Sequence, residues 1–317
     1  MKITLFKYLS IGAFALTLGA CQSDTTEPTE TDSPETATES EEQTSYAITD
    51  DLDNELTFDE VPATVVSLIP SNTEILYAIG AGDKLVGATD YDNYPAEAAE
   101  VERVSDSVTF NAERIIEMEP DVVIGYSTGA PTGYEDLEAA GIQVFVIESA
   151  TSFEDVYGDI EQISTVMGLE DKGEELIASI QEQIEGVQEK VESAEEKKQL
   201  YLEISPSPEI YTTGQNTFQQ EILNHAHVEN LFGDMEGWPQ ISEEEVIQRN
   251  PEIIATTVSY VENPIDEIKA REGWSDMEAI KNDQVFFLDS DITSRPGPRI
   301  GEAVELVAKT VYPEAFE

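Results

Sequence analysis

The sequence is poor in cysteine, in histidine and in basic residues. One cysteine among 317 residues excludes an internal disulfide. Only two histidines are present, whereas a bare zinc or manganese site needs three or four side-chain ligands, chiefly histidine with carboxylate. The 16 lysines and arginines stand against 67 acids, which gives a formal net charge of −51. Because such a surface repels phosphates, the composition argues against nucleic acid as a partner.

The excess of acid has two interpretations. A strongly charged surface keeps a protein soluble in saline or alkaline surroundings, and it can also steer a cationic ligand towards its site. The acids are spread along the whole chain, which favours the first interpretation. Hydrophobic residues make up 40% of the chain, which is typical of a soluble globular protein.

Residues 1–20 have the pattern of a secretory signal. Lys2 and Lys7 precede an apolar run over residues 8–18, which is too short to serve well as a membrane-spanning helix. The run ends in Leu-Gly-Ala-Cys, which resembles a bacterial lipobox. This resemblance implies cleavage before Cys21 and lipid attachment to that residue, and multiple acyl chains give a stable anchor. We therefore expect an extracytoplasmic protein that is lipid-anchored to the outer face of the bacterial cell membrane.

Residues 21–45 are predicted to be a disordered acidic tether rich in threonine, glutamate and serine. From residue 22 onward this segment has no aromatic and no large aliphatic side chain, so it cannot bury enough apolar surface to offset the entropy of ordering. The rest of the chain is predicted to form an N-terminal α/β lobe over 46–168, a connecting helix over 169–196 and a C-terminal α/β lobe over 197–317.

Two stretches of the chain follow the same pattern, at residues 111–124 and 242–255. Each opens on a capping residue, Asn111 or Ser242, and continues to a proline, an acid and a β-branched run. The pattern predicts a short capped helix that ends before the proline and is followed by a buried strand. Because the two stretches lie about one small domain apart, we expect two similar lobes.

The start of the first lobe indicates where a ligand would bind. Residues 64–69 are predicted to be a buried strand that leads through Pro70 into a helix. Ser71 and Glu74 have the spacing of a capping box at the start of that helix. Ligands of open α/β sheets lie beyond the carboxyl ends of the strands. Pro70, and the loop with Tyr91 after the next strand, are therefore predicted at the mouth of a site.

Residues 171–196 are predicted to be helical. Their apolar residues recur every three or four positions and form one stripe, at Leu176, Ile180, Ile184, Val187 and Val191. A stiff helix between the lobes would permit only small closing motions.

Several longer motifs resemble those of a known family. They are SLIPSNTEILYAIGAGDKLVGATDYDNYP and NAERIIEMEPDVVIGY in the first half, and YTTGQNTFQQEILNHAHVENLFG, GWPQISEEEVIQRNPEIIA and RPGPRIGEAVE in the second. In this order they resemble the substrate-binding lipoproteins of ABC importers for metal chelates, which bind cobalamin or ferric siderophores. The likeness extends from about residue 60 to residue 312.

This resemblance implies an α/β fold of two similar lobes with a ligand cleft between them, joined by a long rigid helix. It implies a monomer that has no catalytic activity and no cofactor of its own. Such a protein captures a ferric siderophore or a cobalamin-type corrinoid and delivers it to an ABC permease in the membrane. Glu113 and Glu244 match the two glutamates of the family, one in each lobe, that dock on arginine pockets of the permease.

The resemblance also implies five ligand-binding residues. Pro70 and Tyr91 match family positions on the lip of the first lobe, and Trp238 matches an aromatic residue on the opposite lip. Asp291 and Arg295 match a loop of the second lobe that closes on the ligand, although Arg295 could instead cap a helix or balance local acid. An indole beside a flat macrocycle would make a favourable stacking pair.

One segment departs from the family pattern. Cobalamin binders often have a tryptophan after a Val-Ser pair at a strand edge, whereas this chain has Val104-Ser105-Asp106-Ser107 and no aromatic residue before Phe110. The smaller aromatic surface puts a corrinoid in doubt and leaves a siderophore open. The second tryptophan, Trp274, matches a packed segment of the family and is predicted to be a core residue.

Three other functions are suggested by single features. Residues 125–129 fit G-x-S-x-G, which would make Ser127 the nucleophile of a secreted serine hydrolase, but a loop is predicted next where a nucleophile elbow requires a helix. A zinc or manganese binder would use His225 and His227, but on one predicted helix they point to different faces. A haem binder would have Tyr91 as its only obvious axial ligand.

Overall fold

The computed structural model describes residues 45–106, 109–128, 133–192, 194 and 196–317. The predicted signal and Cys21 lie outside the described residues, as does nearly all of the predicted tether. Among the described residues, no helix combines the length and the apolar character needed to cross a membrane.

In the described part of the chain, the N-terminal lobe contains an antiparallel hairpin and a parallel sheet. The hairpin consists of β1 Tyr46–Thr49 and β2 Glu55–Phe58. The sheet consists of β3 Val65–Ser67, β4 Leu85–Thr89, β5 Glu102–Ser105, β6 Val122–Ser127 and β7 Gln143–Glu148. The helices are α1 Pro70–Ala78, α2 Ala112–Met118, α3 Glu135–Ala139 and α4 Phe153–Val166, with short 3-10 helices at Gly82–Lys84 and Ala96–Glu100. The sheet order is β5-β4-β3-β6-β7, so all carboxyl ends lie at one edge.

The long helix α5, Glu170–Val191, follows the first lobe and lies within the segment for which the sequence predicts a connecting helix. The second sheet consists of β8 Gln199–Ser205, β9 Ile210–Thr212, β10 Glu229–Asn230, β11 Gln240–Ile241, β12 Ile253–Thr256 and β13 Val285–Phe287. Its order is β11-β9-β8-β12-β13, and β10 pairs with β8. The other helices are α6 Phe218–His225, α7 Glu243–Arg249, α8 Pro264–Ala270, α9 Glu278–Lys281, α10 Ser290–Thr293 and α11 Ile300–Val311, with 3-10 helices at Trp274–Asp276 and Pro313–Phe316.

The repeated sequence pattern forms the same local structure twice. Asn111 and Ser242 cap α2 and α7, and the side chain of each accepts a hydrogen bond from the backbone N–H three residues on. Both helices end at a left-handed residue directly before the proline, with φ 48° at Glu119 and 49° at Asn250. The buried strands β6 and β12 follow, and each pairs in parallel with the first strand of its own sheet. The predicted fold class, two similar α/β lobes, is confirmed.

One continuous apolar core joins the two lobes. The buried face of α5, which carries Ile180 and Ile184, packs against α4 of the first lobe and α11 of the second. The ring of Phe153 on α4 stacks on that of His225 on α6, with centroids 4.9 Å apart. Trp274 is fully buried in a separate cluster of the second lobe, as predicted. Because wide separation of the lobes would expose the shared core, the architecture opposes a large hinge motion.

Asp159 on α4 gives the fold a pH dependence. The residue is buried, and burial together with the carboxylates of Asp51 and Asp155 raises the pKa of its carboxyl to about 8. The pKa of an aspartate in an unfolded chain is about 3.9. Between these values the native state holds a proton that the unfolded state has released, so this carboxyl lowers stability as the pH rises from about 4 to about 8.

We therefore expect the variant Asp159→Asn, which is uncharged at every pH, to lose this part of the pH dependence. Its free energy of unfolding should exceed that of the wild type by at least about 1 kcal/mol at pH 8. This minimum corresponds to a pKa shift of one unit or less. The advantage should shrink as the pH falls towards 4. Urea unfolding at several pH values measures this difference, and parallel curves for the two proteins would contradict the prediction.

Candidate ligand-binding site

A cavity of about 420 Å³ lies between the two lobes. All five residues that the family resemblance implies for ligand binding line it: Pro70, Tyr91, Trp238, Asp291 and Arg295. The described residues that line the cavity are Ile69, Pro70, Ser71, Tyr91, Tyr126, Ser149, Ala150, Phe218, Gln219, Trp238, Ser290, Asp291, Ser294, Arg295 and Pro296. The first lobe contributes segments at or beyond the carboxyl ends of β3, β4, β6 and β7, which is where ligands of parallel sheets bind.

The lip of the first lobe is a loop that holds Tyr91 at the cavity. The carboxylate of the buried Asp92 accepts a hydrogen bond from the backbone N–H of Thr89, at 2.9 Å, and another from its hydroxyl. Arg103 donates to the carbonyl oxygen of Asp92 at 2.8 Å. These bonds fix the backbone on both sides of Tyr91, whose side chain is 60% exposed. The loop therefore presents a tyrosine ring on a well-supported backbone.

The opposite lip is a turn that presents Trp238. The N–H of Gly214 donates to the carbonyl oxygen of Gly237 at 2.8 Å, and a side chain at Gly214 would collide with the carbonyl group of Met235. Gly237 has φ 64°, a conformation that glycine adopts without strain. Trp238 is 44% exposed, and its Nε1 donates to Oε1 of Gln219 at 3.1 Å. The indole ring is thus oriented by a neighbour that also lines the cavity.

Four charged side chains from both lobes meet beside the cavity. We term Glu74, Asp291, Arg295 and Arg299 the inter-lobe ion cluster. The carboxylate of Glu74, which is almost fully buried, accepts hydrogen bonds from Arg295 at 3.1 Å and from Nε and Nη2 of Arg299 at 2.7 and 2.6 Å. Arg295 also donates to Asp291 at 2.8 Å. The cluster holds two positive and two negative charges, so it is neutral as a whole.

The predicted capping box of Ser71 and Glu74 is wrong. Helix α1 begins at Pro70, its N-cap is Ile69, and no side chain caps it. Glu74 instead binds the two guanidinium groups of the second lobe. Because the helix starts at Pro70, Ser71 and Glu74 lie inside it and not at the N-cap and N3 positions that a capping box requires.

The arginines of the cluster also hold the lip of the first lobe. Arg295 donates to the carbonyl oxygen of Tyr91 at 3.1 Å and to Oδ1 of Asn93 at 2.8 Å. The amide nitrogen of Asn93 donates to Asp291 at 2.7 Å. The guanidinium of Arg299 lies over the ring of Tyr94, 4.2 Å from its centroid. Burial lowers the pKa of Arg299, but the hydrogen bonds and the charge of Glu74 outweigh it and raise that pKa overall, so the group stays charged.

Sequence reasoning missed the role of Glu74, Asn93 and Arg299 in connecting the lobes, although all three lie within the family motifs. One signal was available for Glu74. It directly precedes Ile75 and Leu76, which are fully buried, and an acid within such a helix needs a cation. Its partners could not be identified, because they lie more than 200 positions further on.

Glu113 and Glu244 occupy equivalent positions in the two lobes. Each is the second residue of its capped helix, α2 or α7, and each is exposed. Within the described residues neither carboxylate has an ion-pair partner, whereas the adjacent Arg114 binds Glu102 and Glu117. Both acids are therefore accessible to another protein.

The two histidines have structural contacts. His225 is the last residue of α6, and His227 lies beyond it with φ 60°, so the prediction of one helix for both is wrong. The amide nitrogen of Gln188 lies 2.8 Å from Nδ1 of His225, and burial lowers the pKa of that imidazole. Over the part of the chain that the structure describes, no group of three or more His, Cys, Asp or Glu is arranged to hold a metal ion.

Ser127 is the last residue of β6 and is only 3% exposed. The strand pairing continues through it, since it lies opposite Glu148 and its carbonyl oxygen accepts a hydrogen bond from Ser149 at 2.9 Å. A nucleophile elbow needs an exposed hydroxyl at a sharp turn from strand to helix. Gly129, the last residue of the motif, lies outside the described residues.

A larger cavity, of about 810 Å³, lies beside α6 and is lined by Thr151, Lys197, Asn216, Asn224, Arg249 and their neighbours. Its described lining contains amide, hydroxyl and charged side chains but no aromatic ring. Binding sites for small molecules combine apolar and aromatic walls with a few polar groups. The smaller cavity, with Tyr91, Phe218 and Trp238, meets this requirement and is therefore the candidate site.

The chain is similar to a family of known proteins and to several of their members. Residues 65–292 match the family described as periplasmic binding protein. A Bacillus subtilis protein named uncharacterized ABC transporter substrate-binding lipoprotein YvrC is 38% identical over 84% of this chain and 86% of its own length. The vitamin B12-binding protein of Vibrio parahaemolyticus is 33% identical over 76% of this chain and 86% of its own.

A solved structure has the same fold. It is a possible iron-binding, periplasmic solute-binding protein from Staphylococcus epidermidis, with a TM-score of 0.72, 30% identity, and coverage of 80% of this chain and 100% of its own. The family and these relatives are substrate-binding transport proteins rather than enzymes, so the hydrolase alternative is set aside. The resemblance found in the sequence is confirmed, and the chain belongs to the periplasmic binding protein family.

Proposed function

We propose that this protein captures a metal chelate, either a ferric siderophore or a cobalamin-type corrinoid, in the cavity between its lobes and delivers it to an ABC permease. One observation carries the proposal. Tyr91 and Trp238, from opposite lobes, line one cavity whose size suits a small molecule. Exposed aromatic rings provide large contact areas at little entropic cost, and they dominate the energetics of such sites.

The delivery step rests on Glu113 and Glu244. The exposed carboxylates sit at equivalent helix positions, one in each lobe, and would engage cationic pockets on the permease. A single exposed ion pair contributes little, so the benefit of two contacts is correct orientation and a faster encounter. Because one apolar core fixes the spacing of the lobes, the two acids can act as a pair.

The location and the ligand contacts complete the proposal. Lipid attachment at Cys21 would anchor the chain to the outer face of the membrane, and the acidic tether would leave the lobes free to reach the permease. Pro70, Tyr91 and Trp238 would contact the chelate directly. Asp291 and Arg295 would also contact the chelate, through the atoms that line the cavity. The protein would bind the chelate as a monomer.

Removing the indole of Trp238 tests the ligand site. We expect Trp238→Ala to weaken chelate binding by about 1–3 kcal/mol, roughly 5-fold to 150-fold, because an aromatic anchor is lost. Calorimetry measures the affinity without relying on tryptophan emission. The matched control is Tyr260→Ala, which removes a ring of the second lobe that is 73% exposed and does not line the cavity.

The fluorescence of the wild type gives an independent measurement. Of the two tryptophans in the chain, only Trp238 is among the described residues that line the cavity, so the part of the quenching that is lost in Trp238→Ala would report on Trp238. Unchanged affinity in Trp238→Ala, with no quenching in the wild type, would remove this residue from the site.

A further inference from the structure

The walls of the cavity carry almost no charge. Among the described residues that line it, only Asp291 and Arg295 are acidic or basic, and they have opposite signs. The remaining lining consists of apolar side chains, hydroxyl groups and one amide. Arg103 also contacts the lip of the first lobe. It donates to the carbonyl oxygen of Asp92 and is not among the described residues that line the cavity.

The guanidinium of Arg295 is already committed to the protein. It donates to Glu74 at 3.1 Å, to Asn93 at 2.8 Å and to the carbonyl oxygen of Tyr91 at 3.1 Å. It is also bonded to Asp291 at 2.8 Å, and its side chain is only 14% exposed. An anionic ligand would have to compete with two carboxylates for this group. Breaking those bonds would leave the buried Glu74 with fewer partners, which is unfavourable.

Arg299 offers no second cation to a ligand. Its Nε and Nη2 both bind the carboxylate of Glu74, and its guanidinium is covered by the ring of Tyr94. The inter-lobe ion cluster is neutral, and the chain as a whole has a formal charge of −51. A polyanion would therefore approach through a repulsive field and find no uncompensated positive charge among the described residues of the cavity.

We infer that the cavity selects chelates that are uncharged or cationic and rejects polyanionic ones, an inference that rests on the proposed function. Two chelate classes have the required chemistry. Three monoanionic hydroxamates balance the charge of one Fe(III), and corrinoids are neutral or cationic with a broad macrocycle for the aromatic lips. A ferric tricatecholate has the opposite chemistry, because three dianionic catecholates make it a trianion.

A binding panel on the full-length protein in detergent tests this inference. The probes are cyanocobalamin, a ferric trihydroxamate and a ferric tricatecholate, each titrated by calorimetry at low and at high salt. We expect one of the two uncharged probes to bind at least about 100-fold more tightly than the trianion, since unfavourable charge contacts discriminate strongly against a ligand. The uncharged probe that binds more tightly identifies the class of the ligand, either a corrinoid or a ferric hydroxamate.

The outcomes separate this inference from the proposed function. Tightest binding of the tricatecholate would overturn the inference and leave the capture of a metal chelate standing. Binding of none of the three probes would overturn the proposed function, and the inference with it.

A pair of variants locates the origin of the selectivity. Asp291→Asn removes one of the carboxylates bonded to Arg295 while keeping the shape of the side chain. We expect it to raise the affinity for the trianion by about tenfold or more. Glu262→Gln changes the net charge equally at an exposed position outside the cavity, and it should leave that affinity unchanged. Equal effects of the two variants would overturn the role assigned to the cluster.

Discussion

Replacing Glu74 by alanine is expected to destabilise the protein by about 3–5 kcal/mol, the usual cost of removing one partner from a buried ion pair. The carboxylate is nearly fully buried and binds both Arg295 and Arg299. Without it, two guanidinium groups with side chains 14% and 10% exposed lose their shared partner. Chemical denaturation, with the free energy of unfolding extrapolated to water, measures the loss.

Two further variants show whether the loss comes from the unpaired arginines. Glu262→Ala removes an exposed acid from a loop and should change the free energy of unfolding by no more than about 0.5 kcal/mol. The double variant Glu74→Ala with Arg299→Ala should be more stable than Glu74→Ala alone, because only Arg295 then remains and it keeps Asp291. A loss below about 1 kcal/mol for Glu74→Ala would show that the cluster does not join the lobes energetically.

The double variant Glu113→Ala with Glu244→Ala is expected to lower chelate uptake by at least about tenfold while chelate affinity stays unchanged. Both acids lie outside the cavity, and loss of exposed charges at an interface slows the encounter of the two proteins and weakens their correct orientation. Uptake of a radiolabelled chelate by cells that express each protein, together with calorimetry on the purified proteins, separates delivery from capture.

The control for this experiment changes the charge by the same amount elsewhere. Glu138 and Glu262 are exposed acids, one in each lobe, and neither lies on α2 or α7. Replacing both by alanine should leave uptake normal. Normal uptake in the Glu113 and Glu244 variant would show that the docking assignment is wrong.

The features that sequence reasoning predicted correctly are those with local causes. Asn111 and Ser242 cap their helices because a polar side chain next to a helix start satisfies a free backbone N–H. The apolar stripe of α5 was visible because helical periodicity places Ile180 and Ile184 on one face. Each signal lies within a few residues, and the repetition of the capped pattern about one small domain further on predicted the two similar lobes.

The features that sequence reasoning missed depend on distant parts of the chain. Glu74 has the spacing of a capping residue, and only the structure shows that arginines more than 200 positions away bind it. The sequence predicts one helix for His225 and His227, but the helix ends at His225 and His227 itself is left-handed. Pro70 and Tyr91 were also predicted from the ends of their strands, whereas the other site residues came from the family resemblance alone. The sequence could not show that Arg295 is neutralised by its neighbours.

The most direct test of the account is a crystal structure of the protein with the chelate that binds most tightly in the panel. We expect one chelate molecule between the lobes, in contact with Tyr91 and Trp238 and beside an intact inter-lobe ion cluster. A chelate found instead in the larger cavity beside α6, with the space between Tyr91 and Trp238 empty, would contradict the account.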